Sequence, residues 1–141
     1  MGGINLGRAL IGGVVAGVIL NVGEFILNGF VLANDMKEFF KRCGFPPEPP
    51  SSFMVIAIVI TLILGIVIVI GYAAIRPRFG PGPKTAIIAA LFAWFGVYVY
   101  QNVIAVGLGI IPTRLFMIAL AWGLVEYIIA TIAGAALYKE A

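Results

Sequence analysis

The chain has 141 residues, of which 62% are hydrophobic and 11% charged, against roughly 45–50% and about 25% in ordinary soluble domains. A mean hydropathy of +1.14 is more apolar surface than a soluble domain of this size can hide, which excludes an ordinary soluble enzyme, a disordered chain and a nucleic-acid module. With no histidine and one cysteine, Cys43, most transition-metal chemistry, haem ligation, a His-based triad and an internal disulfide are excluded as well, and the net charge of +3 reads as Lys and Arg held at membrane edges.

The composition predicts an all-α integral membrane protein, a single transmembrane domain built as a four-helix bundle. Four apolar segments stand out, at about 4–33, 53–75, 85–107 and 115–138. Each supplies the ~20 residues that a helix needs to cross a hydrocarbon core. β-Barrel strands are shorter and alternate apolar with polar residues, so helices are the reading that fits. The first segment has Arg8 before its apolar run, as a signal peptide does. It is too long for one, carries Glu24 and Asn28, and lacks an Ala-x-Ala cleavage site, so it reads as a retained helix.

The first connection, 34–52, is extramembrane. It holds Asp35, Lys37, Glu38, Lys41, Arg42 and Glu48 around a stiff proline-rich run from Pro46 to Pro50. Within it, 36–43 can form a short amphipathic helix with Phe39 and Phe40 at headgroup level. The second connection carries Arg76, Arg78 and Lys84 and no acid; the third is a tight turn closed by Pro112. Arg8, Arg76, Arg78, Lys84 and Lys139 fall at one end of the bundle, and Lys37, Lys41, Arg42 and Arg114 at the other. This bias, with the acid-free second loop, predicts both termini on the cytoplasmic side of a cytoplasmic or inner membrane.

Polar residues inside apolar segments are costly and therefore informative. The first segment carries a heptad stripe of Val14, Gly17, Asn21, Glu24, Asn28, Val31 and Asp35, all on one helical face. The fourth carries Glu126 near its middle, on a face with Ala119, Trp122 and Ala133. In the third, Trp94, Tyr98, Gln101 and Ala105 form one stripe, and Leu91, Phe95, Tyr98 and Asn102 the next. At ~1.5 Å per residue, Asn21, Glu24, Tyr98, Gln101, Asn102 and Glu126 fall in one slab beyond the midplane, which predicts a polar cluster contributed by three helices. The second segment is nearly unbroken Val, Ile and Leu and is expected on the outside of the bundle or at an apolar subunit contact. No Lys or Arg lies within the core of any segment, so Glu24 and Glu126 must be protonated, hydrogen-bonded to an amide, or neutralised by an arriving cation.

Several other features read as packing or packing surfaces. Gly13 and Gly17 form GxxxG, as do Gly3 and Gly7. Ala119 to Gly123 and Ala130 to Gly134 are small-xxx-small pairs. Whether they act within one chain or between chains is open at this level. No P-loop, dinucleotide fingerprint or repeated CxxC is present, and no cofactor, metal or catalytic residue is predicted. Four short helices, a glutamate in the first and aromatics elsewhere in the bundle resemble the layout of the small multidrug exporters. This chain departs from that layout in its glycine-rich start, its long proline-rich loop and its second glutamate, and no residue role is carried over.

The expectation for function is transport of protons, cations or a small cationic solute. Glu24 and Glu126 would bind the charge, and Asn21, Asn28, Tyr98, Gln101 and Asn102 would orient them. The alternative is an accessory or scaffold subunit that contacts partner subunits, lipids or a lipophilic cofactor. A homo-oligomer or a larger membrane complex is expected in either case, with no nucleic-acid partner. A lipid-acting enzyme lacks a nucleophile–base pair that can be named.

Overall fold

The computed structural model describes residues 3–140. The chain is all-helical among those residues, and four of its helical rods are long and apolar enough to cross a membrane: Leu6–Val31, Ser51–Phe79, Pro83–Gly107 and Thr113–Leu137. The first comprises α1 (Leu6–Ile26) and a π turn (Leu27–Val31), followed by the short α2 (Ala33–Cys43). The second is α3 (Ser51–Phe79). The third comprises α4 (Pro83–Trp94), a second π turn (Phe95–Val99) and α5 (Tyr100–Gly107); the fourth is α6 (Thr113–Leu137).

Local chemistry sets the boundaries. The Asn5 side chain caps α1 by accepting the Arg8 N–H at 3.2 Å, as N-cap asparagines do. Gly44, at φ +76°, ends α2 in the left-handed region. The Phe45 N–H there reaches back to the Phe40 carbonyl at 2.9 Å, closing a Schellman-type cap. Pro50 and Pro112 lead into α3 and α6 in extended backbone, and Pro83 opens α4, where its missing N–H costs nothing. Between α3 and α4, Thr85 donates its hydroxyl to the Gly80 carbonyl at 2.6 Å, and the Gly82 N–H donates to the Tyr72 hydroxyl at 3.2 Å.

The rods pack as a four-membered ring in the order α1, α3, α4, α6, with α3 also touching α6 across the diagonal. Small residues make the seams. Gly13 and Gly17 lie directly on the backbone of Ile66 and Leu62, and Gly65 lies on Gly13 and Gly17. Gly12 and Gly134 meet backbone to backbone between α1 and α6. The glycine pair at 13/17 and the Ala130–Gly134 pair therefore pack within the chain, whereas Gly3 faces open space and a Cβ at Gly7 would meet only the Asn5 side chain, at 3.6 Å. The second rod is not merely an outer helix. One face of α3 buries Gly65, Ile68, Val69, Tyr72 and Ala73, while Val55, Ile56, Ile60 and Val67 stay exposed on the other.

Most of the core lies in the half of the bundle nearest the termini, with Leu27 and Leu32 also buried toward α2. No residue is buried in the first part of α3 from Ser51 to Leu64, in α5, or in α6 before Gly123. The terminal end is closed by an aromatic and ionic cap. Tyr72 and Tyr138 meet edge to face at 6.0 Å, Arg76 lies over Tyr138, and Arg76 pairs with Glu140 at 2.9 Å. At the opposite end Arg42 of α2 donates to the Ile110 carbonyl at 2.7 Å, and Asp35 faces Arg114 at 3.5 Å.

Candidate functional site

The buried face of α1 runs through Ala9, Gly12, Gly13, Ala16, Gly17, Leu20 and Leu27. The heptad stripe that carries the polar residues lies along one edge of it. Val14 and Val31, its apolar members, are exposed, Asn21 and Glu24 are half-buried, and Asn28 is exposed. Packing decides this: the residues that let α3 and α6 approach are the small ones, so they take the interior.

All three asparagines turn back on their own helices. Asn21 donates to the Gly17 carbonyl at 2.9 Å and across the seam to the Ile58 carbonyl of α3 at 3.2 Å. Asn28 donates from its amide nitrogen to the Glu24 carbonyl and to Glu24 Oε2, both at 3.0 Å. Asn102 donates to the Tyr98 carbonyl at 2.8 Å. Two of these asparagine donations sit at the π turns, where the ladder runs i to i−5. The Leu32 N–H bonds the Leu27 carbonyl at 2.7 Å, and the Tyr100 N–H bonds the Phe95 carbonyl. A π turn inserts one extra residue and leaves nearby carbonyls in need of other donors.

Tyr98 lies inside the second π turn and joins two helices that otherwise barely meet. Its hydroxyl donates to Glu24 Oε1. Its ring is buried, meets Tyr127 edge to face at 5.4 Å, and lies flat on Gly123. Glu24 is thereby fully engaged, by Tyr98 on one oxygen and Asn28 on the other. Gln101, three residues on, points outward and makes no side-chain hydrogen bond among the described residues, so it does not join the cluster. The wider turn over Phe95–Val99 rotates the chain beyond it, and uniform 3.6-residue spacing misplaces Gln101 for that reason.

Glu126 is the opposite case. It is 6% exposed, and neither carboxyl oxygen has a hydrogen-bond donor among the described residues. It packs against helix α1 at Gly23, where a Cβ would stand 2.6 Å from its Cδ. The Trp122 indole N–H, one turn earlier on α6, lies near the same carboxyl yet has no acceptor within hydrogen-bond distance. Glu24 is the residue after Gly23, on which the Glu126 carboxyl rests. The structure thus brings Glu24, Asn28, Tyr98, Asn102 and Glu126 together, uses Asn21 to tie α1 to α3, and leaves Gln101 outside. Gly23, Gly123 and Tyr127 complete the cluster. Spacing singled out none of these as site residues, although Gly123 and Tyr127 sit within one turn of Glu126.

A buried carboxyl with two empty acceptor oxygens is a place where positive charge is stabilised. Comparison with family models, with curated proteins and with solved structures finds no match for this chain.

Proposed function

We propose that this chain is a small carrier that spans a bilayer and exchanges a cation at Glu126. Glu24 is its second charge, and Tyr98, Asn28 and Asn102 hold the geometry. The observation that carries this reading is the Glu126 carboxyl, nine-tenths buried with no donor on either oxygen. A purely structural carboxyl at such a position would be expected to find an Arg, an amide or a run of backbone N–H groups. The length and hydropathy of the four rods support placing the bundle across a bilayer, with exposed residues such as Val55, Phe92 and Val125 against lipid tails. The Lys and Arg distribution supports cytoplasmic termini in a cytoplasmic or inner membrane. The species exchanged belongs to the class of protons, inorganic cations and small cationic solutes, and no covalent chemistry is assigned to the chain.

The test is flux into proteoliposomes holding the purified protein. Glu126→Gln is expected to abolish cation exchange without changing helix content, while Asn21→Ala, at the α1–α3 seam, retains it. Undiminished flux in Glu126→Gln overturns the carrier reading.

A second reading, an accessory subunit of a larger membrane complex, is favoured by one observation. The half of the bundle on the α2 side buries almost nothing of its own, and Gln101 faces outward there. An exposed amide among apolar residues is the kind of group that hydrogen-bonds a neighbouring helix. Fixed-stoichiometry co-purification with unrelated subunits, seen by native mass spectrometry after gentle extraction, would favour it.

A further inference from the structure

We infer that the species Glu126 takes is a proton, exchanged with Glu24 across Tyr98. The inference deepens the carrier reading and rests on it for transport, though not for the protonation itself.

Space and ligand count decide between the candidate cations. The Glu126 carboxyl is pressed on Gly23, where a Cβ would stand 3.0 Å from Oε1. One turn earlier on α6, the Tyr98 ring fills the space over Gly123. A hard metal ion asks for about six oxygen ligands, and no group of three or more His, Cys, Asp or Glu side chains suited to a metal exists among the described residues. An organic cation asks for a cavity of roughly 300 Å³ or more. Two open grooves lie elsewhere, one between α3 and α4 around Gly71 and Gly96, the other beside α2. A proton needs no cavity. It also converts the costliest group in the bundle into a neutral acid.

The titratable groups that surround Glu126 are few. Glu24 follows Gly23, on which the Glu126 carboxyl rests, Tyr98 packs on Gly123 one turn away, and Tyr127 is the next residue on its own helix. From α3 there is none, since Ser51 to Gly71 holds no titratable side chain. No lysine or arginine lies among them, so nothing local holds Glu126 ionised. Tyr98 is bonded to one carboxyl and packs one turn from the other. Its hydroxyl already donates to Glu24 Oε1, and its ring rests on the residue one turn before Glu126. In the exchange, the Tyr98 O–H bond breaks as its proton passes to the Glu24 carboxylate. The phenol oxygen takes the proton of the Glu126 acid in its place once that side chain, which has no hydrogen-bond partner in this structure, swings onto it. The net result is one proton moved from Glu126 to Glu24, with the tyrosine restored. Glu24 is half-buried beside the exposed Asn28, so it is the member from which a proton can leave toward the α2 side.

The test is infrared difference spectroscopy of the full chain in lipid, titrated across pH and exchanged into heavy water. A carbonyl band of a protonated carboxyl is expected in the wild type. It is lost in Glu126→Gln, shifted in Glu126→Asp and retained in Glu24→Gln. In Tyr98→Phe the band persists, but its deuterium shift slows by ~100-fold, the usual contribution of a positioned proton-transfer group. The retained band in Glu126→Asp and Tyr98→Phe serves as the check that the site still folds. Absence of a Glu126 band at every pH overturns the inference, and if inorganic-cation flux still requires Glu126 the carrier reading survives it. A Glu126 band with no flux of any kind leaves the proton site standing and removes the carrier. An unchanged deuterium rate in Tyr98→Phe overturns the route through Tyr98.

Discussion

Gly23 and Gly123 hold the space into which Glu126 and Tyr98 fold, and the two differ in what a methyl group would meet. At Gly23 the neighbour is the carboxyl end of a flexible side chain, which can swing. At Gly123 three ring atoms of Tyr98 lie 2.7–2.9 Å from where a Cβ would be. That ring is fixed by Tyr127 on one side and by its bond to Glu24 on the other. Gly123→Ala is therefore expected to cost about 1–3 kcal/mol, the usual penalty for overpacking, and to release Tyr98 from Glu24. Thermal unfolding in detergent measures the first effect, and loss of cation exchange the second. A variant with wild-type melting and wild-type flux would mean that Tyr98 does not occupy this place. The contrast shows why the polar residues of the site were readable from the sequence and its glycines were not. Glu24, Asn28, Tyr98, Asn102 and Glu126 announce themselves by being polar where apolar residues belong. Gly23 and Gly123 matter only through what lies across from them, which no local pattern contains.

At the scale of elements, the four apolar runs fixed the rods, because length and hydropathy alone report a helix of that kind. The amphipathic run after the first rod was legible too; expected at 36–43, it forms Ala33–Cys43. The faces were less legible. On α1 the polar stripe and the small-residue stripe lie side by side, and a reading that seeks a partner for every polar group turns the wrong one inward. The π turns at Leu27–Val31 and Phe95–Val99 leave no sequence mark of their own, and Gln101 was misplaced by the second. The role of α3 shows the same limit. Gly65 is one small interruption in an aliphatic run, yet it is where α3 touches α1. An added Cβ there would fall on the Gly17 backbone and 2.6 Å from the Gly13 carbonyl oxygen, and backbone cannot give way. Gly65→Ala is expected to lower stability by about 1–3 kcal/mol. Gly71→Ala, six residues along the same helix with nothing within 4 Å of the new methyl, is expected to be neutral or to gain up to ~1 kcal/mol of helix propensity. Paired melting curves check both. Equal effects at the two positions would show that the α1–α3 seam is not built on Gly65.

At the scale of the whole molecule, burial is one-sided. The terminal end is sealed by the glycine seams and by Tyr72, Tyr138, Arg76 and Glu140, whereas the helices on the α2 side bury almost nothing. The Glu24–Tyr98–Glu126 cluster stands where the packed half ends, with half-buried Glu24 and exposed Asn28 on its α2 side. Which compartment that is follows from orientation, and the chain carries its own reporter. Cys43 is its single cysteine, and it is exposed at the end of α2, across the bundle from both termini. With cytoplasmic termini, a membrane-impermeant maleimide should label Cys43 in intact cells stripped of any outer barrier, and Cys43→Ser should abolish the labelling. Labelling only after lysis would invert the bundle and put the open side of the cluster in the cytoplasm. The direction in which a proton enters Glu24 would invert with it. A carrier that works in both directions must also open the sealed end, where the Gly12–Gly134 contact and the Tyr72–Tyr138 pair would have to part. Labelling of a cysteine placed at Tyr138 from the cytoplasmic side, increased by lowering the pH on the α2 side, would report that opening directly. A Tyr138 position labelled equally at every pH would mean that protonation of the cluster and the sealed end are not coupled.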